Sequence, residues 1–71
     1  MTLGEQIKNS REKKNLSQEE LAFQLGVSRQ AVSKWEQKIN SPDIMILPKL
    51  AEIFKISIDE LFGIIVDTEP V

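Results

Sequence analysis

The stretch that most constrains the fold of this chain is residues 17–36, SQEELAFQLGVSRQAVSKWE. Two units share one spacing, in which an apolar residue is followed at once by serine and, five positions after the first, by another apolar residue: Leu16, Ser17, Leu21 and Val27, Ser28, Val32. Such a serine caps the free amides of a helical first turn, and the apolar pair is spaced as a hydrophobic staple. Gly26 lies between the units, where a helix needs a left-handed residue to end. The stretch therefore predicts two short helices joined by a tight turn.

The beginning and the end of the chain carry related capping patterns. Two further pairs are spaced as capping boxes, Thr2 with Glu5 and Ser57 with Glu60. They predict a first helix over residues 2–14 and a last helix over residues 58–62, which Gly63 ends.

A proline indicates where the fourth helix begins. Pro48 interrupts an apolar run, and proline is tolerated in the first turn of a helix but not in its interior. We therefore expect the helix to start near Leu47 or Pro48, after a turn over residues 44–46. An alternative start is residues 41–43, where a serine precedes a proline.

Residues 1–63 are thus predicted to form one all-α domain, a compact five-helix bundle with a helix-turn-helix at its second and third helices. The tail, residues 64–71, is either a disordered end, the start of a linker, or an extension that pairs with another chain.

Helical periodicity separates core positions from surface positions. The inward positions of the second and third helices are Leu21, Ala22, Leu25, Val32 and Trp35. Phe23 points outward, either as an isolated surface residue or as a contact for a partner. One stripe of the first helix carries Leu3, Ile7, Ser10, Arg11 and Lys14. A guanidinium on that stripe needs a carboxylate, and Glu36 is the candidate.

Composition makes several classes of function improbable. The 71 residues contain no cysteine and no histidine, which removes thiolate ligands and the usual general base. We expect no enzyme activity, no cofactor and no metal. No apolar run approaches the ~20 residues of a membrane span, so a cytoplasmic protein without membrane contact is expected.

Charge is distributed unevenly along the chain. The formal net charge is −2. Residues 1–40 hold seven Lys and Arg against five Glu, which gives +2, whereas residues 41–71 hold two Lys against six acids, which gives −4. The basic half is the one able to face the phosphates of DNA, and the alternative is an ordinary surface of mixed charge.

The run LSQEELAFQLGVSRQAVSKWE, with the upstream arginine and the downstream LPKLAEIFKISIDELFG, resembles the phage repressor and Cro-like helix-turn-helix family, also called the xenobiotic-response-element family. The resemblance covers residues 2–63. It implies a lambda-repressor-like five-helix domain that binds operator DNA, commonly as a dimer, and regulates transcription. It also implies a protein of bacterial or phage type that is associated with the nucleoid.

The resemblance also assigns residues to the DNA interface. Gln18 matches a phosphate-contacting position at the start of the second helix, and Lys38 and Asn40 match the loop after the third helix. Positions of the recognition helix, residues 29–37, that face the major groove are matched by Ser28, Arg29, Gln30, Ser33 and Lys34. Arg11 and Glu36 match a partly buried ion pair near the DNA surface. Relatives often have glycine in the loop where this chain has Gln37 and Lys38.

Side-chain chemistry supports two of these residues as base readers. Arginine can donate two hydrogen bonds to guanine, and the amide of glutamine can both donate to and accept from adenine. Arg29 and Gln30 are therefore the expected readers of base edges. Trp35 is expected in the core, with stacking on exposed bases as the alternative.

Two functions from different classes remain open. The first is a sequence-specific double-stranded DNA-binding transcriptional regulator that acts on a near-palindromic operator as a homodimer. The second is a protein-interaction module, antitoxin-like or adaptor-like, whose partner binds through the acidic carboxyl-terminal half, Phe23 and the apolar residues 64–66.

Overall fold

Four of the five helices that the structure describes begin at a side-chain cap. In the computed structural model, which describes residues 2–62, five helices follow one another: α1 (Leu3–Lys13), α2 (Gln18–Leu25), α3 (Arg29–Glu36), α4 (Leu47–Phe54) and α5 (Ile58–Leu61). Complete capping boxes start α1, α2 and α5, and the Ser28 hydroxyl accepts a hydrogen bond from the amide of Ala31 at the start of α3. The predicted order of five helices is confirmed.

The fourth helix begins at the proline-containing turn. α4 starts at Leu47, with Pro48 in its first turn, and residues 44–46 form the turn before it. Residues 41–43 are not helical, and the Asp43 carboxylate accepts a hydrogen bond from the amide of Met45 at 3.1 Å. The start near Leu47 or Pro48 was therefore the correct alternative.

Left-handed residues follow the first four helices, and the one after α3 is Lys38, with a φ of 65°. Gly26 has a φ of 75° after α2, Asn15 a φ of 58° after α1, and Lys55 a φ of 58° after α4. Glycine adopts this conformation freely, and asparagine tolerates it better than most residues. Gly63 and residues 64–71 lie outside the described residues, as do the predictions made for them.

One apolar core joins all five helices. Its buried residues are Ile7, Leu21, Ala22, Leu25, Val32, Trp35, Leu50, Phe54 and Leu61. α2 packs on α3, α1 packs on α3 and α5, and α4 packs on α5. The inward positions predicted for α2 and α3 are all buried. Lys14 is exposed, because the helix ends at Lys13 and the stripe does not continue into the cap residue.

Gly4 lets α1 approach the end of α3. It is buried in the first turn of α1, and a Cβ atom placed on it would overlap the backbone carbonyl oxygen of Trp35. Only a residue without a side chain fits so close to another backbone. The contact fixes the end of α3, and the loop that follows it, against the beginning of α1.

Within residues 2–62, no helix has both the length and the apolar character needed to cross a membrane.

Candidate nucleic-acid interface

α3 has a buried face and an exposed face that carries polar residues. Val32 and Trp35 are buried, and Trp35 is only 6% exposed, so its ring packs in the core and is not available for stacking on a base. The exposed residues of the predicted interface at α3 and the following loop are Ser28, Arg29, Gln30, Lys34, Lys38 and Asn40. Ser33 is half-buried. The structure therefore places these predicted interface residues along α3 and the loop that follows it.

The amino end of α3 concentrates hydrogen-bond donors. Ser28 caps the helix, with its hydroxyl accepting from the amide of Ala31 at 3.1 Å. Arg29 and Gln30 are the first two helical residues, where backbone amides have no partner within the helix. Free amides and the helix dipole favour an anion at this end. The two expected base readers thus lie beside a region suited to phosphate.

Glu36, the last residue of α3, forms a nearly buried ion pair with Arg11 of α1. Nε of Arg11 donates to one carboxylate oxygen of Glu36 at 2.7 Å, and Nη2 donates to the other at 3.1 Å. The side chains are 11% and 5% exposed. Nη1 of Arg11 also donates to the backbone carbonyl of Leu16 at 2.8 Å. The structure thus contains the pair that the sequence indicated, and it ties α1 to α3 and to the start of α2.

The ion pair keeps the guanidinium charged. Hydrogen bonding to Glu36 raises the pKa of Arg11 above its ordinary value, an effect that exceeds the opposing effect of burial. A bidentate, charge-assisted pair of this geometry is among the stronger polar contacts in proteins.

Gln18 connects the ion pair to Arg29. Its Nε2 donates to Oε1 of Glu36 at 3.0 Å, and its Oε1 accepts from Nη1 of Arg29 at 3.5 Å. The family resemblance predicts a phosphate contact for Gln18, whereas these two partners were not predicted. Nothing in the local sequence signals them, because the partners lie 18 and 11 positions away.

The exit of α3 is left-handed at Lys38. Its φ is 65°, and the amide of Ile39 donates to the carbonyl of Lys34 at 2.9 Å. The backbone here adopts a turn that glycine favours, at a position occupied by lysine. Asn40 follows at the surface.

The Lys38 side chain turns back toward α1. Its Nζ lies 3.5 Å from Oε2 of Glu5. The capping hydrogen bond with Thr2 lowers the pKa of Glu5 below its ordinary value of 4.5, and the charge of Lys38 lowers it further. Lys38 therefore forms an ion pair with Glu5 in the free protein, and both side chains are about half exposed.

Two features of this region were not found from the sequence. Gly4 has the signal of a small residue in the first turn of a helix, but its contact with Trp35 depends on tertiary packing. Ser33 accepts a hydrogen bond from Nε2 of Gln37 at 2.7 Å, which ties one predicted groove residue to its own helix.

The arrangement of these helices defines a helix-turn-helix domain, with α2 and α3 as the motif. The Helix-turn-helix family matches residues 7–61, and the chain belongs to this family. This confirms the resemblance to phage repressors and Cro-like proteins.

Proteins similar to this chain include regulators of transcription. The chain is 44% identical over 63 residues to the HTH-type transcriptional activator BcrR of Enterococcus faecalis, an alignment that covers 89% of this chain and 31% of BcrR. It is 35% identical over 63 residues to the cryptic phage CTXphi transcriptional repressor RstR of Vibrio cholerae, which covers 89% of this chain and 56% of RstR. The chain thus spans about a third of the length of one relative and about half of the other.

A solved structure of the same fold is the P22 c2 repressor in complex with a synthetic operator. The TM-score is 0.84 at 31% identity, and the match covers 92% of this chain and 98% of that one. The lambda-repressor-like fold expected from the sequence is confirmed.

Proposed function

We propose that this chain is the sequence-specific, double-stranded DNA-binding domain of a transcriptional regulator. The observation that carries the proposal is the exposed face of α3, which begins with Arg29 and Gln30 beside free helix amides. Such a helix fits the major groove, which is wide enough to admit an α-helix and presents a distinct pattern for each base pair. The similarity to a repressor that was solved on its operator supports this function.

The individual roles follow from position and chemistry. Arg29 and Gln30 read base edges, Ser33 and Lys34 lie further along the groove face, and Ser28 holds the amino end of α3 in place. Asn40 and Lys38 contact phosphates from the loop. For Lys38 this contact competes with Glu5, because the ammonium group lies 3.5 Å from that carboxylate in the free protein.

The domain binds DNA as a homodimer in this proposal. Two copies would place their α3 helices in successive major grooves, about 34 Å apart, and would prefer a near-palindromic operator. A dimer also compensates for the modest positive charge of residues 1–40, since two copies double the number of phosphate contacts.

The test is selection of bound sequences from a random duplex pool, followed by binding measurements on the best site. We expect an enriched near-palindrome. Arg29→Ala should weaken binding to the best site by about 1–3 kcal/mol and relax the preference at one base pair in each half-site.

Lys38→Ala is the matched control for Arg29→Ala, because it also removes one exposed cation. It should weaken all sequences alike and reduce the salt dependence of binding. An unchanged preferred sequence in Arg29→Ala would show that Arg29 does not read a base.

A protein-interaction module is the second candidate, and exposed apolar side chains favour it. Phe23 is 86% exposed on α2, and Ile44 and Met45 are exposed in the turn before α4. A gel shift on random duplex DNA at low and moderate salt discriminates between the two candidates. Absence of binding even at low salt would favour the interaction module, because non-specific binding of a DNA-binding domain is strongest there.

A further inference from the structure

The carboxylate of Glu5 faces Lys38, one of the proposed phosphate contacts in the loop after α3. Nζ of Lys38 lies 3.5 Å from Oε2 of Glu5, and the side chains are 52% and 50% exposed. Both partners are therefore open to solvent at the edge of the proposed DNA-binding surface. A negative charge at such an edge repels phosphates, so the presence of an acid there requires an explanation.

The two carboxylate oxygens of Glu5 have different partners. Oε1 accepts a hydrogen bond from the backbone amide of Thr2 at 2.9 Å, which completes the capping box of α1. Oε2 is the oxygen that faces Lys38. Because the cap already holds the carboxylate in place, the ion pair costs little additional side-chain freedom on the Glu5 side. Glu5 therefore presents a preorganised anion to the ammonium group.

The aliphatic part of the Lys38 side chain passes close to the first turn of α1. A Cβ atom placed on Gly4 would lie 3.4 Å from Cγ of Lys38. The amino end of a helix carries a partial positive charge, which disfavours a cation nearby. The ammonium group is therefore retained beside α1 by the charge of Glu5 and not by the helix itself.

A DNA phosphate offers Lys38 the same chemistry as Glu5 does. Both groups carry negative charge on oxygen atoms that accept hydrogen bonds from an ammonium group. A lysine that stays paired with a carboxylate brings no net charge to the phosphate, and it displaces fewer of the counterions that surround DNA. Glu5 and a phosphate therefore compete for one ammonium group.

We propose that Glu5 is an intramolecular competitor for DNA, whose carboxylate occupies Lys38 in the free protein and lowers the affinity of the domain for every duplex alike. The proposal rests on the proposed DNA-binding function. It gives a role to a residue outside the predicted DNA contacts, and neutralising that residue should increase affinity. The preference among sequences should not change, because phosphate contacts carry no sequence information directly.

Glu5→Gln tests the competition, because glutamine keeps an oxygen for the Thr2 amide but carries no charge. Binding is measured on the selected operator and on a duplex of random sequence, at about 50 and 200 mM salt. We expect about two- to fivefold tighter binding to both duplexes at the lower salt concentration, which is the range for an exposed ion pair. The slope of log affinity against log salt should steepen by up to about 0.9 for each copy bound, since Lys38 then neutralises a phosphate in full.

Glu12→Gln is the matched control for the change of charge. Glu12 lies on the same helix, its side chain is 56% exposed, and it lies 3.9 Å from Arg11, which is already paired with Glu36. This variant should alter DNA affinity by less than Glu5→Gln does. An equal gain in both variants would show that only the net charge of the domain matters, and it would overturn the role of Glu5.

Lys38→Ala provides the second control, because the competition requires the ammonium group. In a protein that already carries Lys38→Ala, Glu5→Gln should change the affinity and the salt slope no more than Glu12→Gln does. A full gain of affinity in that background would show that Glu5 repels DNA directly, which contradicts a competition for Lys38.

The wild-type measurement separates this role from the proposed function. Binding of wild type to duplex DNA, with no gain of affinity in Glu5→Gln, refutes only the role of Glu5. Absence of binding to any duplex by wild type at low salt refutes the proposed function and the competition with it. Thermal unfolding at pH 7 adds a readout that a purely structural role would not give, because Glu5→Gln should be less stable than wild type and yet bind DNA more tightly.

Discussion

The two ends of this small domain are stabilised in different ways. Where α1, α2 and α3 meet, a nearly buried ion pair and a close backbone approach at Gly4 hold the helices together. Where α4 and α5 meet, the buried residues are apolar. They are Leu50 and Phe54 of α4 and Leu61 of α5. The first region, called here the polar corner and centred on the Arg11–Glu36 ion pair, supports α3. α3 is the proposed DNA-reading helix, whose side chains must point in fixed directions.

The difference has a physical reason. Apolar burial is non-directional and tolerates small adjustments in packing, whereas a bidentate ion pair specifies the distance and the orientation of both partners. A polar corner therefore positions side chains more sharply, but it fails more severely when one partner is lost.

The largest expected loss of stability comes from breaking the ion pair of the polar corner. Glu36→Ala leaves the Arg11 guanidinium nearly buried without its carboxylate, and it should lower the free energy of unfolding by about 3–5 kcal/mol. Urea unfolding measures this change. Arg11→Met with Glu36→Ala is the control, because it removes the unpaired charge, and we expect it to recover a large part of the loss. Equal stability of the single and the double variant would contradict the account of the pair.

The next effect concerns the apolar region. Leu50→Ala should lower the free energy of unfolding by about 2–5 kcal/mol, since Leu50 is fully buried and its removal leaves a cavity. Glu52→Ala, at an exposed position of the same helix, is the control and should change stability by less than about 0.5 kcal/mol. A second substitution at Arg11 should not rescue Leu50→Ala, which separates the two modes of stabilisation.

A smaller effect is expected from the close approach of α1 to α3. Gly4→Ala adds a methyl group that overlaps the carbonyl of Trp35 and should cost about 1–3 kcal/mol, although alanine is the better helix former. Lys8→Ala, at an exposed position of the same helix, provides the comparison. A thermal unfolding experiment in which Gly4→Ala is more stable than wild type would show that α1 can shift away freely.

The smallest effect is the pH dependence of Glu5. Its pKa is lowered in the folded state, so its contribution to stability is present above about pH 4.5 and is lost as the pH falls through the folded pKa. The difference in melting temperature between wild type and Glu5→Gln should be seen at pH 7 and disappear near pH 3. Arg11 behaves oppositely: its pKa is raised, so titration of the guanidinium itself removes stability only as the pH rises through the folded pKa. A Glu5→Gln difference that grows on acidification would contradict the assignment.

The sequence predicted best those features that are encoded locally. Ser17, Ser28 and Ser57 each mark a helix start, because a cap and its partner lie within one turn of each other. Pro48 likewise limits where α4 can begin.

Features that depend on distant parts of the chain were predicted incompletely. The ion pair of Arg11 with Glu36 was anticipated because an inward arginine requires a carboxylate, but the amide of Gln18 had no such requirement. Its partners become evident only when α2 and α3 are packed together. The overlap at Gly4 is likewise a property of two backbones and not of one segment.

Lys38 shows how a local backbone preference can be outweighed. With a φ of 65°, it occupies a conformation in which an L-residue costs roughly 1 kcal/mol more than glycine. A glycine there would relax the turn but would remove both the cation beside Glu5 and one positive charge from the basic half of the chain. At this position the choice of residue therefore determines two properties at once: the strain of the backbone turn and the charge at the edge of the proposed DNA-binding surface.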